Sequence, residues 1–275
     1  MTEPPLDLRG RTLRAALSRR PPARPAPEFA RPYAAIVAML DALLADLDDA
    51  EWAMVAALDW DARDLVVHLT ATDGLLGEAI AGQASSAEDV LDRTREAVGR
   101  CPPPQDARRA WRERADALCD GLTEADGRHR VEVGGRRMRL SDHLAVRAFE
   151  TWIHADDIAR RTGRSLLPPP AEHLYPIAEI GVRSLPKALA VTGRDHPGRT
   201  LRIILDGPGG GRWTIPLGAA AAAGDDPSAQ VRMDVVEFCF LAGGRRSLAD
   251  IDAETGGDPD LARDVLEAAS AFSGP

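Results

Sequence analysis

Arg147-Ala-Phe-Glu150-Thr-Trp-Ile-His154-Ala-Asp-Asp157 is the stretch that decides how this chain is read. The spacing predicts a helix over Ser141–Arg161, with Ser141 as N-cap and Gly163 closing it. Glu150 and His154 stand four residues apart, so on a helix their side chains share a face. An earlier run, Trp60-Asp-Ala-Arg-Asp64-Leu-Val-Val-His68-Leu69, places a histidine on a second predicted helix, Asp61–Ile80, capped by Asp59 or Asp61. Two imidazole nitrogens and a carboxylate on packed helices form a three-ligand set for a divalent metal with an open coordination position. Plainer roles fit the same residues. His68, beside Leu65, Leu69 and Thr72, suits a core histidine. Arg147 is placed to pair with Glu150, whose charge is costly to bury alone. Asp157, three residues after His154, suits an orienting partner, a general base, or an ion pair with Arg160 or Arg161. His129, His143, His173 and His196 fall in loops or at helix edges and read as solvated.

Working outward, residues 29–165 read as helical. Phe29–Leu47 carries Tyr33, Ile36, Val37, Leu40, Leu43 and Leu44 at helical spacing. Ser86–Val98 is a further helix, stopped by Cys101-Pro102-Pro103-Pro104. Asp106–Leu122 is another, with Trp111, Ala115 and Leu118 on one stripe. Val131–Met138 alternates around Gly134-Gly135 as a hairpin. Pro168-Pro169-Pro170 then marks a boundary. Beyond it come a helix over Ala171–Leu189, strands at Thr200–Leu205, Arg212–Leu217 and Gln230–Asp234, and helices at Val235–Ala242 and Asp258–Phe272. The expected class is α+β, mainly α: an Arg/Pro-rich arm over 1–28 that is disordered or irregular, a helical bundle over 29–165, and a small α+β domain with a mainly antiparallel sheet over 171–275. Within the arm, Leu8–Leu17 has the pattern of a short helix. Gly207–Gly211 lacks the ending of a phosphate-binding loop and lies between strands, so it reads as a hairpin turn.

Composition narrows the function classes. The net charge of −9 comes from 34 basic and 43 acidic residues that are interspersed, with no basic stripe, so nucleic acid is not an expected partner. No apolar run approaches the roughly 18 residues of a membrane span, and the N-terminus lacks a secretory core, so no membrane association is expected. The three cysteines, Cys101, Cys119 and Cys239, are odd in number and widely spaced. They suggest neither a disulfide framework nor a cysteine-rich metal site, and they fit a reducing cytoplasm. No pattern speaks to oligomeric state.

Trp60-x-x-x-Asp64-x-x-x-His68-Leu69, followed some eighty residues on by Arg147-x-x-Glu150-x-x-x-His154-x-x-Asp157, resembles the mycothiol-dependent maleylpyruvate isomerase family of the DinB-like superfamily. Phe240-Leu-Ala-Gly-Gly244-Arg245 is similar to the hydrophobic-Gly-Arg run near that family's end, and the second domain is similar to its sterol-carrier-like module. The resemblance implies a DinB-like four-helix bundle, zinc held by His68, Glu150 and His154, mycothiol as cosubstrate, and a functional arginine at Arg245, with Arg246 adjoining. Asp156 stands where relatives often carry an aromatic residue, and the N-terminal arm is an addition. Zinc lowers the pKa of a bound thiol. A thiolate that adds to an electron-poor double bond, permits rotation and leaves again performs cis–trans isomerisation. One that displaces a leaving group performs S-transfer, and both remain open for a small electrophile of maleylpyruvate type. An arginine can hold a substrate carboxylate bidentately. The alternative is a non-catalytic, small-molecule-binding or regulatory DinB-like protein.

Overall fold

The structure, a computed structural model, describes residues 22–57, 59–217 and 227–270. The expected helix over Leu8–Leu17 lies outside them. The chain divides into two compact units that part between Leu167 and Pro168.

The first unit is helical. A single 3-10 turn at Glu28–Ala30 leads into α1 (Arg31–Ala45), and a one-turn α2 (Asp49–Trp52) follows. A minimal hairpin, β1 (Val55–Ala57) with β2 (Trp60–Asp61), feeds α3 (Ala62–Ile80). Then come α4 (Ala87–Gly99), α5 (Pro104–Cys119), the hairpin β3 (Arg130–Val133) and β4 (Arg136–Arg139), and α6 (Leu140–Arg161). Helices α1, α3, α5 and α6 form a closed four-helix ring in which α3 touches α5 and α6, and α1 touches the same two. Their apolar stripes meet inside. Tyr33, Leu40 and Leu44 of α1, Leu65 and Leu69 of α3, Trp111 of α5, and Leu144 and Trp152 of α6 are all essentially inaccessible. Burying each such side chain contributes about 1.5–3 kcal/mol, which is what makes the pattern decisive.

Local signals set the boundaries. The Asp61 carboxylate accepts the Asp64 N–H at 2.9 Å and caps α3. Ser86 and Asp89 form a reciprocal capping box on α4. Gly134 and Gly135 adopt φ of 60° and 69°, the left-handed pair that a two-residue hairpin needs. One expectation is corrected. Helix α6 begins at Leu140 with Arg139 at the N-cap, because the Leu140 N–H is already taken by the His129 carbonyl at 2.8 Å; Ser141 therefore lies inside the first turn. At the other end Gly163 (φ 69°) follows the cap. Its N–H bonds the Arg160 carbonyl and that of Arg164 bonds Ala159, which is a Schellman closure.

The described part of the arm, residues 22–27, has no regular structure. It is tied to α5 by the Arg24–Asp120 ion pair and by the Pro22 carbonyl, which accepts from Arg112.

The second unit is α+β. Helix α7 (Ala171–Val191) is followed by β5 (Arg199–Asp206), β6 (Gly211–Leu217), β7 (Ala229–Asp234), α8 (Val235–Ala242), β8 (Glu254–Gly257) and α9 (Pro259–Ser270). The sheet order is β6-β5-β7-β8. The β5–β6 and β7–β8 pairs are antiparallel, and β5–β7 is parallel. Leu201, Ile203 and Leu205 of β5 stand opposite Ala229, Val231 and Met233 of β7, and all six are buried. The Gly207–Gly211 segment turns β5 into β6 as expected. At Gly210 a Cβ would sit 2.1 Å from the Leu205 carbonyl oxygen, so only glycine fits. The chain is thus α+β and mainly α. Among the described residues no helix is long and apolar enough to cross a membrane.

Candidate metal centre

Helices α3 and α6 lie side by side and bring His68, Glu150 and His154 together, so that one donor atom from each lies within 4.8 Å of the other two. His68 Nε2 is 2.5 Å from Glu150 Oε1, and the two imidazole rings meet edge to face with centroids 5.7 Å apart. Donors bound tetrahedrally at about 2.0–2.1 Å from zinc stand about 3.3 Å apart, so a slight opening of the His68–Glu150 contact suits the ion. Two imidazoles and one carboxylate are also the donor types zinc takes. His154 is buried, whereas His68 and Glu150 keep side-chain exposures of 15% and 26%, leaving one side of the cluster open to solvent.

Each of the three has its own partner behind it. His68 Nδ1 lies 3.1 Å from the hydroxyl of Thr94, a buried residue of α4. His154 Nδ1 lies 3.3 Å from Asp157 Oδ2. Donation from His154 Nδ1–H to Asp157 leaves Nε2 of that ring as a lone-pair donor, whereas the Thr94 hydroxyl can either donate to or accept from His68 Nδ1. Glu150 Oε2 accepts from Arg147 Nη1, and Arg147 Nε donates to Asp73 Oδ1 of α3 at 2.7 Å. Asp73 is fully buried and Arg147 is 6% exposed. Asp156 pairs with Arg160 one turn on.

The electrostatics follow from these contacts. Burial works to raise the Glu150 carboxyl, but Arg147 and then His68 and His154 outweigh it and hold it well below the usual carboxylate range. Burial pushes His154 below the ordinary imidazole value, against the opposing pull of Asp157 and Glu150. Glu150 is therefore ionised and His154 neutral at pH 7, which are the forms that bind metal. Burial pushes Asp73 up despite Arg147, and pushes the Tyr33 phenol up, with the Asp73 charge adding to it. The cysteines take no part. Cys119 and Cys239 are buried, and burial drives the Cys119 thiol up to about 12. His143 corrects the expectation of a solvated histidine: it is 6% exposed and donates to the Val131 carbonyl at 3.1 Å, pinning the β3–β4 hairpin to α6.

Sequence reasoning missed Asp73 and Thr94. Neither carries a local motif, and only the packing of α3, α4 and α6 reveals them. Trp60, quoted only as part of the motif, sits with its ring 5.2 Å from that of His68. Arg245 lies in the second unit, in the turn after α8, where Nη1 donates to the Gly243 carbonyl at 2.5 Å. Arg246 pairs with Glu237 at 3.0 Å and covers the Phe240 ring.

Comparison with known proteins places this arrangement. Residues 33–159 match the family model of the mycothiol maleylpyruvate isomerase N-terminal domain, a span that includes all three clustered donors. Two uncharacterized proteins from two strains of Mycobacterium tuberculosis are each 27% identical over 246 residues, covering 86% of this chain and 91% of theirs. The crystal structure of a mycothiol-dependent maleylpyruvate isomerase superposes with a TM-score of 0.56 at 20% identity, covering 82% of this chain and 92% of that one. A histidine mutant with the same description gives 0.52 at 22% identity and the same coverage. These likenesses establish a common fold spanning both units. Through residues 33–159 of its helical unit, the chain is similar to the mycothiol maleylpyruvate isomerase N-terminal domain family.

Proposed function

We propose that this chain is a zinc-dependent, mycothiol-using enzyme, an isomerase or thiol S-transferase acting on a small electrophile of maleylpyruvate type. The observation that carries the reading is the convergence of His68, Glu150 and His154, each backed by its own partner, within the span that matches the family model. His68, Glu150 and His154 would hold the metal, which supplies a Lewis-acid centre that binds a thiol sulfur as thiolate near neutral pH. The chain's own groups prepare that site. Arg147 keeps Glu150 ionised, Asp157 fixes the His154 tautomer, and Thr94 holds the His68 ring through Nδ1. Arg245 is assigned to hold an anionic group of the substrate or of the thiol. No cysteine of the chain is asked to act as nucleophile, in keeping with the raised Cys119 and Cys239 thiols.

The test is metal analysis of protein purified without chelator, followed by turnover assays with mycothiol and a panel of electrophiles that includes a maleylpyruvate-type cis-alkene. Roughly one zinc per chain and turnover that requires the thiol are expected. Zinc uptake without thiol-dependent turnover would turn the reading toward a ligand-binding protein. Failure to take up zinc with the fold intact would remove it altogether.

A further inference from the structure

The geometry points to the buried Asp73–Arg147 pair as a positioning clamp that makes Glu150 a one-oxygen metal ligand, an inference that rests on the metal-centre reading above. The two carboxylate oxygens of Glu150 have different partners. Oε2 accepts from Arg147 Nη1, while Oε1 faces His68 Nε2 at 2.5 Å and belongs to the donor cluster. Carboxylates bind metals through one oxygen or two. Binding through both would pull Oε2 from Arg147 and leave a guanidinium that is only 6% exposed with Asp73 as its remaining carboxylate partner. Arg147 therefore restricts Glu150 to Oε1. A three-donor set built this way keeps the fourth position of a tetrahedral ion open, which is the position a thiol sulfur needs.

Asp73 makes the arrangement affordable. A lone guanidinium beside a metal ion would oppose the ion's charge, whereas Asp73, bound to Arg147 Nε at 2.7 Å, neutralises it. The pair also joins the two ligand-bearing helices. Asp73 shares α3 with His68, and Arg147 shares α6 with Glu150 and His154, so a single buried contact ties the two sources of the donors together. Asp73 and Arg147 are positioning residues; neither belongs to the donor cluster itself.

Cobalt(II) in place of zinc provides the test, because its visible bands are intense in four-coordinate sites and weak at higher coordination numbers. Two variants of the full chain are needed. The double change Asp73→Leu with Arg147→Met removes both charges of the pair together, so neither is left buried without the other. The single change Arg147→Lys keeps the charge but replaces the two-way fork with a point donor that cannot serve both carboxylates. Circular dichroism establishes that each is folded, and if the double variant is not, Arg147→Lys carries the comparison. The wild-type chain is expected to give the four-coordinate spectrum. The variants are expected to lose visible intensity and to bind cobalt about 10–100-fold more weakly in competition with a chromophoric chelator. Spectra and affinities equal to wild type overturn the clamp while leaving the metal centre in place. A wild-type chain that takes up neither cobalt nor zinc overturns the metal centre itself, and the clamp with it.

Discussion

The two units bury different things. Among the described residues, every buried polar or charged side chain except Thr200 lies in the helical unit, including Asp41, Asp73, Arg147, His154 and Asp157. The α+β unit buries mainly aliphatic and aromatic side chains, and its ion pairs run from half-buried, as His196–Asp264, to exposed. Arg232 and Asp206 are each nearly half exposed, and Arg263–Asp260 more so. Buried charge is costly unless it is paired. A bundle that takes in several charges, paired across helices and converging on three metal-type donors, has its interior shaped by chemistry as well as by packing.

The contrast can be broken at its centre first. His154→Ala, His68→Ala or Glu150→Ala should take bound zinc from roughly one per chain to none, measured by elemental analysis, with the helical circular dichroism kept. Retained stoichiometric zinc in any of the three would remove that residue from the ligand set. Next comes the charge pairing itself. Asp73→Ala takes from the buried Arg147 one of its two carboxylate partners and should cost about 3–5 kcal/mol of stability by denaturant unfolding. Asp206→Ala, in an exposed pair of the other unit, should leave the midpoint unmoved. Equal effects would mean that the two units use charge alike.

Arg245 sharpens the comparison from the other side. Arg245→Ala should weaken substrate binding by about 2–5 kcal/mol with zinc content unchanged, read as a rise in KM or Kd. Arg246→Ala, whose guanidinium is already engaged by Glu237, should do less. The smallest expected effect is one of pH. Burial depresses the His143 imidazole below its ordinary 6.5. The unfolded chain therefore takes up this proton at a pH where the folded chain does not. The stability contribution is complete above about 6.5 and is lost as pH falls through the depressed folded value. His143→Gln should flatten that part of the stability–pH curve, and an unchanged curve would show that the group is not held neutral.

Much of this molecule is written locally, and that part was legible. The stripe Tyr33-Ile36-Val37-Leu40-Leu44 gives α1, Asp61 and Ser86 cap the helices they precede, and Gly134-Gly135 turns the first long hairpin. The donors could be read as a set because helical spacing puts Glu150 and His154 on one face and the Trp60–Leu69 run supplies the third. What could not be read depends on contacts between distant segments. Asp73 stands 74 residues from Arg147 and carries no motif of its own. Thr94 lies in a helix whose other residues are mostly polar. Strand β8, Glu254-Thr-Gly-Gly257, is exposed throughout and has no apolar alternation to betray it. The pair β1–β2 is too short for a period to show. Ser141 failed as a cap because the hairpin before it delivers the chain to α6 one residue early, a tertiary constraint that outweighs a local preference.

Helix α4 has Thr94 as its single buried side chain, and beside it α3, α4 and α5 border a groove of about 770 Å³. So few buried contacts place α4 among the segments that open at low free energy, ahead of global unfolding. Each opening releases Thr94 from His68, so the breathing of a surface helix is linked to the orientation of a candidate metal ligand. The linkage runs both ways: whatever locks His68 in place should slow amide hydrogen exchange along Ala87–Gly99, making a segment with no donor residues a reporter of events at the centre.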